Sequence, residues 1–416
     1  MPAPSRQDLT LSGIPRAAYI HIPFCRRRCY YCDFPIAVVG DKLWGENSGT
    51  ITQYIDALCR EIAITPSGGA DLGTVFFGGG TPSLLAVNQL EQILDALERR
   101  FHLQAGAEIS MEIDPGTFSL TQLQGYQAAG VNRVSLGAQA FQPELLAACG
   151  RSHSVEEIYT AVATIQSARF TNFNLDLISG LPTQTLEQWQ ASLSAAVALA
   201  PTHLSIYDLT IEPVTAFGRR YQPGIAPLPT DDITATMYRL ASEILRGAGY
   251  EHYEISNYAR PGYQCRHNRV YWQNQPYYGF GMGATSYTQQ QRFTRPHKRQ
   301  EYFEWVEALE RGESVLNTPQ TARVDMLLET LMVGLRLAEG LSLKALASQF
   351  GEAVVQPILD CLAPHQAQGW VELSPPGSAE GRVRLSDPEG FLFSNVILVD
   401  LWTALENYQT GLAVTG

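Results

Sequence analysis

The chain has 416 residues, 45% hydrophobic and 17% charged, which is the balance of a globular protein of two or three domains. Its 29 Lys and Arg against 41 Asp and Glu give a net charge of −12, which argues against nucleic acid as a partner. No apolar run reaches the roughly 18–20 residues of a membrane span, and the first fifteen residues lack the apolar stretch of a secretory signal. We therefore expect a cytoplasmic protein with reduced cysteines and at most peripheral membrane contact.

From residue 17 onward, short strand-like runs alternate with longer amphipathic helical patterns. The six strand candidates are 17–22, 74–77, 108–113, 133–138, 174–179 and 203–209. The main helical patterns between them are 51–64, 87–101, 155–168 and 185–200. Strands that alternate with helices predict an α/β fold with a parallel sheet. Six such units predict a partial (β/α)6 barrel of TIM type over residues 15–220, preceded by a tail at 1–14.

The pattern changes twice after the sixth strand. Residues 221–320 are predicted to form an extension that begins with a helix at 231–247 and continues into a segment rich in aromatic and glycine residues. Residues 321–416 contain an amphipathic helix, two shorter helices and a two-stranded ribbon, which predicts a small helical domain of winged-helix type. Such domains often bind DNA, but this stretch has few basic residues, so we prefer an accessory lid or interaction domain.

Polar or glycine-rich segments stand at the carboxyl ends of the strand candidates. The second to sixth candidates run into GGGTP, DPGT, GAQAF, SGLP and TIEP, and the first runs into a cluster of cysteines. In barrels of this kind, functional residues gather at the carboxyl ends of the strands. We therefore expect one site at that face.

The cysteine cluster lies in the segment YIHIPFCRRRCYYCDF, where Cys25, Cys29 and Cys32 fall within eight residues. Three thiolates at this spacing can hold three corners of a 4Fe-4S cluster and leave its fourth iron open to a small molecule. The alternatives are a structural zinc site with His21 as the fourth ligand, and three merely buried cysteines. A single tight loop favours the cluster, because zinc ligands usually come as two pairs.

This CxxxCxxC loop resembles the signature of radical S-adenosylmethionine (SAM) enzymes, and the resemblance covers nearly the whole chain. It implies that the amino and carboxylate groups of SAM bind the open iron. It also implies that the reduced cluster cleaves SAM to methionine and a 5′-deoxyadenosyl radical. An electron donor such as a flavodoxin or a ferredoxin is implied as a partner.

Further positions resemble those with which this family contacts SAM. The glycine run at residues 78–80 is similar to the family's GGE-type motif, although a glycine run alone is usually a turn. A carboxylate inside an apolar strand needs a partner, so the alternative for Glu112 and Asp176 is a satisfied core carboxylate, salt-bridged to Arg151. Ordinary aromatic packing is the alternative for the tyrosines. The implied SAM contacts are Tyr19, Tyr31, Gly79, Gly80, Thr81, Glu112, Gln139, Arg151 and Asp176.

Within this superfamily, the motifs YIHIPFC, FGGGTPS, GRSH, DLISGLP and HNRVYW resemble the oxygen-independent coproporphyrinogen oxidase group. Coproporphyrinogen dehydrogenases carry an extra cysteine two residues after the third and a longer N-terminal extension. At the position of this extra cysteine the chain has Phe34, and sixteen residues precede the first strand. The loop and the HNRVYW motif at 267–272 resemble instead the HemW-type heme chaperones.

That resemblance implies heme binding and transfer to recipient hemoproteins, dependent on the cluster and SAM. The alternative function is oxygen-independent coproporphyrinogen III dehydrogenase, which makes protoporphyrinogen IX in porphyrin biosynthesis. His267 is the candidate heme ligand, because imidazole ligates heme iron and aromatic residues that could line a flat apolar ligand follow it. The alternative for His267 is a hydrogen-bonded structural histidine.

Overall fold

A computed structural model describes residues 13–42, 44–313, 321–375 and 381–414, with side chains only up to residue 406. The predicted tail lies almost wholly outside the described residues. The strands are β1 Ala17–Ile22, β2 Phe24–Cys25, β3 Ala37–Val38, β4 Leu72–Gly79, β5 Leu103–Ile113, β6 Arg133–Gln139, β7 Phe173–Ser179, β8 His203–Asp208, β9 Glu251–Glu254, β10 Asn257–Ala259, β11 Tyr278–Phe280, β12 Thr285–Thr288, β13 Gln291–Thr294, β14 Leu341–Ser342, β15 Val371–Ser374 and β16 Arg382–Leu385.

The α-helices are α1 Gly49–Ile64, α2 Val87–Phe101, α3 Leu120–Ala128, α4 Pro143–Ala148, α5 Val155–Ser167, α6 Leu186–Ala198, α7 Asp231–Gly247, α8 Arg266–Trp272, α9 Arg299–Glu310, α10 Arg323–Gly334, α11 Leu343–Phe350, α12 Val355–Ala367, α13 Glu389–Leu392 and α14 Ser394–Val414. Short 3-10 helices lie at Gly45–Asn47, Pro82–Leu84 and Glu352–Val354. No helix within the described ranges combines the length and the apolarity needed to span a membrane.

Nine strands form one sheet in the order β11-β1-β4-β5-β6-β7-β8-β10-β9. The six predicted strands are the central six, and all of their mutual pairings are parallel. β11 adds a parallel pairing beside β1, and β10 and β9 add antiparallel pairings beyond β8. The predicted α/β fold with a partial barrel is therefore confirmed, and three strands outside the prediction extend it.

The sequence patterns explain these elements directly. Along β7 every residue except Asp176 is buried, as expected for a parallel strand covered on both faces. Helix α2 buries Leu90, Ile93, Leu94 and Leu97 at helical spacing and so turns one apolar stripe to the sheet. Such helices return the chain after each strand, so the carboxyl ends of the central strands meet at one face.

The described residues form two main hydrophobic cores. The larger one runs from Ala18 to Val306 and surrounds the sheet, and the other runs from Leu327 to Leu405. The second core belongs to a C-terminal module in which α10 to α14 pack on a small sheet of order β14-β16-β15. The predicted helical domain is therefore present. The structure differs from the prediction in two elements. A third strand, β14, joins the predicted two-stranded ribbon, and helix α14 follows it without having been predicted.

The C-terminal module is tied to the extension through Asp387, which precedes α13. Its carboxylate accepts hydrogen bonds from His252 at 2.8 Å and from Ser242 at 3.0 Å. Arg246 forms an ion pair with the same carboxylate at 3.3 Å. Three donors from α7 and β9 thus converge on one acceptor at this junction.

Candidate functional site

A cavity of about 460 Å³ lies at the carboxyl ends of the central strands. This volume is within the range of small-molecule sites. Of the thirteen predicted site residues, Tyr19 and His267 are outside the wall of this cavity. The eleven that line it are Cys25, Cys29, Tyr31, Cys32, Gly79, Gly80, Thr81, Glu112, Gln139, Arg151 and Asp176.

The three cysteines share one wall of the cavity. Cys25 ends β2, and the loop that follows returns as β3, which pairs with β2 through Cys25 and Val38. The Thr81 hydroxyl donates to Cys25 Sγ at 3.7 Å, and a guanidinium nitrogen of Arg151 donates to Cys29 Sγ at 3.3 Å. Burial raises the pKa of Cys25 to about 12 when no metal is bound. Three soft sulfur donors on one loop, two of them already paired with hydrogen-bond donors, fit an iron–sulfur cluster.

His21 is not free to act as a fourth zinc ligand. Its Nδ1 is 3.0 Å from the hydroxyl of Tyr19, and its Nε2 is 3.0 Å from the carbonyl oxygen of Pro35. Burial lowers the pKa of His21 to about 4, so the ring is neutral. In the described parts of the chain, no three His, Cys, Asp or Glu side chains converge on a position for a single ion. With both ring nitrogens of His21 engaged, the zinc alternative lacks its proposed fourth ligand.

Tyr19 takes part in ordinary aromatic packing, which is the alternative to a SAM contact given above for the tyrosines. Its hydroxyl is hydrogen-bonded to His21, and its ring stacks on Phe76 with centroids 6.3 Å apart. The contact with SAM that the resemblance implied for Tyr19 is therefore not visible in the geometry of the cavity. Tyr31, by contrast, lines the cavity between the second and third cysteines.

Two glycines allow the end of β4 to lie flat against the end of β1. Gly79 has a φ of +108°, and a Cβ placed on it would stand 2.3 Å from the His21 ring. A Cβ on Gly80 would stand 2.6 Å from the carbonyl oxygen of Phe24. The N–H of Gly79 donates to Glu112 at 3.0 Å, so the same close approach fixes this carboxylate in the wall.

Glu112 and Asp176 place two buried carboxyl groups in the wall. Asp176 accepts hydrogen bonds from Asn174 at 2.6 Å and from Ser135 at 3.2 Å. Burial, and then the negative charge of Asp176, raises the pKa of Glu112 to about 8. Burial also raises the pKa of Asp176. None of the ion pairs among the described residues includes either carboxylate, so the pair is suited to a cationic group such as an ammonium.

Arg151 joins the cysteine loop to the end of β5. It forms an ion pair with Asp114 and donates to the carbonyl oxygen of Gly137 at 3.0 Å. The alternative in which Arg151 forms a salt bridge with Glu112 or Asp176 is therefore wrong, because its guanidinium pairs with Asp114. The Nε of Arg151 is buried without a partner, which leaves one donor for a ligand.

Gln139 holds a strained position at the end of β6. Its φ of +68° lies in the left-handed region, which residues other than glycine rarely adopt. The pairing of β6 with β7 shifts register between Leu136 and Gln139, so a bulge directs the chain here. Strain of this kind is typical of functional sites, and it is consistent with the predicted role of Gln139.

His267 lies at the opposite end of the sheet from the cavity. Its Nδ1 is hydrogen-bonded to Thr74, near the start of β4, and its Nε2 to Tyr271, both at 2.8 Å. Burial, and then the charge of Arg133, lowers the pKa of His267 to about 3. The ring is fully buried and each of its nitrogens is hydrogen-bonded, so a heme iron could bind it only if the ring became exposed and one of these bonds were broken. This geometry matches the structural-histidine alternative.

Sequence reasoning missed several residues that line the cavity. Asp114 follows Glu112 by two positions in MEIDP, so its place at a strand end was visible. Ser135 lies on β6 and holds Asp176, but a serine in a strand gives no signal of its own. Tyr207 and Asp208 end β8, and the same rule that selected Glu112 would have found them.

Comparisons with known proteins define the class first. Residues 19–196 match the radical SAM superfamily, and residues 322–392 match the HemN C-terminal domain. A solved structure, coproporphyrinogen III oxidase (HemN) from Escherichia coli, superposes with a TM-score of 0.78. It is 24% identical in sequence and covers 95% of this chain and 91% of its own, so it shows the same fold. Membership of this superfamily implies a 4Fe-4S cluster and SAM as cofactors.

Relatives with curated names define the family within that class. The heme chaperone HemW of Synechocystis is 47% identical over 94% of this chain and 98% of its own length. The heme chaperone HemW of Bacillus subtilis is 33% identical over 92% of this chain and 98% of its own. The chain belongs to the HemW family of radical SAM proteins.

Proposed function

We propose that this protein binds heme and transfers it to recipient hemoproteins, and that it depends on a 4Fe-4S cluster and SAM to do so. The observation that carries this proposal is the 47% identity, over nearly the full length of both chains, to a relative named as a heme chaperone. The cavity beside three thiolates supports the dependence on both cofactors.

Residues in the wall of the cavity would hold both cofactors. Cys25, Cys29 and Cys32 would hold three irons of the cluster, and Arg151 would keep the Cys29 thiolate stable through its hydrogen bond. The carboxylates of Glu112 and Asp176 would take the ammonium of SAM, because no ion pair among the described residues includes either of them. When bound, the cluster and SAM together supply one-electron chemistry.

Further residues complete the proposed SAM site. Gly79, Gly80 and Thr81 would contact the amino end of SAM, where the absence of a Cβ on the glycines lets the ligand approach the backbone closely. Gln139 would help to hold the ribose hydroxyls or the methionyl carboxylate. Tyr31 would close the site from the cysteine loop. These assignments rest on the resemblance to the superfamily, and the presence of these residues in the wall supports them.

We also propose a one-electron donor, such as a flavodoxin or a ferredoxin, and action in the cytoplasm, where thiols stay reduced. Arg27 and Arg28 are exposed on the cysteine loop of a protein whose net charge is −12. A local basic surface on an acidic protein steers an acidic carrier to the loop that would hold the cluster.

The alternative function, coproporphyrinogen III dehydrogenase, is not favoured. The structural match to HemN is 24% identical in sequence and shows the fold alone. At the position of the extra cysteine of those enzymes, this chain has Phe34, whose side chain is exposed.

A direct experiment separates the two functions. The protein is reconstituted anaerobically with iron and sulfide and titrated with hemin while the Soret band is followed. In parallel, it is incubated with coproporphyrinogen III, SAM and a reductant, and protoporphyrinogen IX is measured. Stoichiometric hemin binding without this product is the expected result. Product formation with no hemin binding would refute the chaperone proposal and establish the alternative.

A further inference from the structure

A second concave surface lies between the cysteine loop, residues 28–36, and the segment 214–219. This groove has a volume of about 550 Å³, which suits a ligand of substantial size. Phe34 and Ile36 line both the groove and the SAM cavity, so the cysteine loop is a wall shared by the two. Cys29 and Cys32 also line the groove, so it lies directly beside the proposed cluster.

The wall of the groove combines exposed apolar side chains with positive charge. Phe34 is 55% exposed and Val214 is 72% exposed, although both are large and apolar. Arg28 and Arg219 add two cations, against one acidic side chain, Asp33. An apolar surface edged by guanidinium groups is complementary to a flat apolar molecule that carries carboxylates.

Arg28 also fixes the backbone of the loop that carries Phe34. Its guanidinium donates to the carbonyl oxygens of Cys32 at 3.2 Å, Phe34 at 3.1 Å and Ile36 at 3.2 Å. These bonds fix the loop in the conformation that presents Phe34 to the groove. The apolar surface is therefore built into the loop.

The groove also holds an imidazole that is free to bind a metal. His297 lines the groove and is exposed. Within the described ranges its ring takes part in none of the side-chain hydrogen bonds. Of the seven other histidines, His102 faces Glu98 at 3.7 Å and His365 donates to Asp400. The remaining five have both ring nitrogens engaged and are His21, His153, His203, His252 and His267.

We propose that heme binds in this groove, with His297 as an axial ligand of its iron and Arg219 facing its propionates. This inference rests on the proposed function, because it assigns a site to the heme that the protein is proposed to carry. Neutral imidazole is a common ligand of heme iron, and Phe34 and Val214 offer apolar contacts to the macrocycle. An open groove also leaves the cargo accessible to a recipient protein, as transfer requires.

The test is a hemin titration of the reconstituted full chain and two matched histidine variants. His297→Ala should weaken hemin binding by about tenfold or more, which corresponds to about 1.4 kcal/mol. It should also shift the Soret band and the electron paramagnetic resonance spectrum of the ferric iron. Added imidazole should restore the wild-type spectrum to this variant. His102→Ala, which alters an exposed histidine outside the groove, should behave as the wild type.

The outcomes distinguish the site from the function. If the wild type binds no hemin, both the proposed function and this site fail. If the wild type binds hemin and His297→Ala keeps the same affinity and spectrum, the site alone is wrong. Val214→Asp provides a second variant, because this exposed position tolerates a charge while a carboxylate there should weaken hemin binding about tenfold. Unchanged binding in Val214→Asp would likewise overturn the assignment.

Discussion

Replacing Glu112 by glutamine removes a buried carboxyl group that has no ion-pair partner among the described residues. Burial, and then the charge of Asp176, raises its pKa from the ordinary 4.5 to about 8. A carboxyl group whose pKa is raised by folding binds its proton more tightly in the folded protein than in the unfolded chain. Its contribution to the free energy of unfolding is therefore complete below pH 4.5 and is lost as the pH rises towards 8. Glutamine does not ionise and can still accept the N–H of Gly79. We therefore expect Glu112→Gln to stabilise the cofactor-free protein at neutral pH.

The size of the effect follows from the two pKa values. A pH of 7 lies about 2.5 units above the ordinary pKa of 4.5, so the free energy of unfolding has fallen by about 3 kcal/mol at about 1.36 kcal/mol per unit. Replacement of the carboxyl group by an amide also perturbs the hydrogen bond from Gly79 and the local packing, which offsets part of this gain. We expect the free energy of unfolding to rise by about 1–3 kcal/mol at pH 7, and by less than about 1 kcal/mol at pH 5.

The assay is urea unfolding of the cofactor-free protein at both pH values, with Glu61→Gln as a matched control. Glu61 is also fully buried, but it accepts hydrogen bonds from Arg295 at 2.8 Å and from Tyr302 at 2.7 Å. Loss of its charge leaves the guanidinium of Arg295 without a counterion, so this variant should be destabilised by about 3 kcal/mol. Two buried glutamates thus respond to the same substitution with opposite signs.

A variant Glu112→Gln that is no more stable than the wild type at pH 7 would refute this reasoning. So would a gain of equal size at pH 5 and pH 7, because the effect must follow ionisation. The same substitution should weaken SAM binding about tenfold in calorimetry, since an amide cannot pair with an ammonium. Stability and ligand binding would then change in opposite directions.

Three further variants test other parts of the structure. Cys29→Ala should prevent assembly of a 4Fe-4S cluster, while Cys59→Ala, outside the cavity, should keep its full absorption spectrum; a complete spectrum in Cys29→Ala would disprove the ligand assignment. Gly79→Ala should lower the melting temperature far more than Gly106→Ala, since both have positive φ but a Cβ at Gly106 meets nothing within 4 Å; equal losses would contradict the close approach. Asp387→Asn should cost about 1–3 kcal/mol and speed hydrogen exchange in the C-terminal module, and unchanged exchange would show that the junction does not depend on it.

The central strands were predictable because buried parallel strands are rich in apolar and β-branched residues and alternate with amphipathic helices. The candidate at 133–138 became β6, Arg133–Gln139, and the candidate at 203–209 became β8, His203–Asp208. The three-residue strand β11 carries too short a pattern to be detected. Its position depends on its pairing with β1, far away along the chain.

The composition of the cavity wall was predictable for a related reason, since the carboxyl ends of successive parallel strands must meet. Side-chain partners were harder to predict. Arg151 could have reached either Asp114 or Asp176, and the choice depends on how the segment before α5 crosses the strand ends. The place of His267 depends on where α8 packs, and a motif of six residues does not reveal that this helix covers the amino-terminal end of the sheet.

The pairing of β1 with β11 has a consequence for synthesis on the ribosome. β1 can pair with β4 on one side once residue 79 has been synthesised, but its other edge pairs only with residues 278–280. About 200 residues separate these two events, which at roughly 5–20 residues per second is about 10–40 s of translation. Throughout this interval the nascent chain carries an open strand edge of buried, apolar character, so co-translational chaperones have a defined segment to protect.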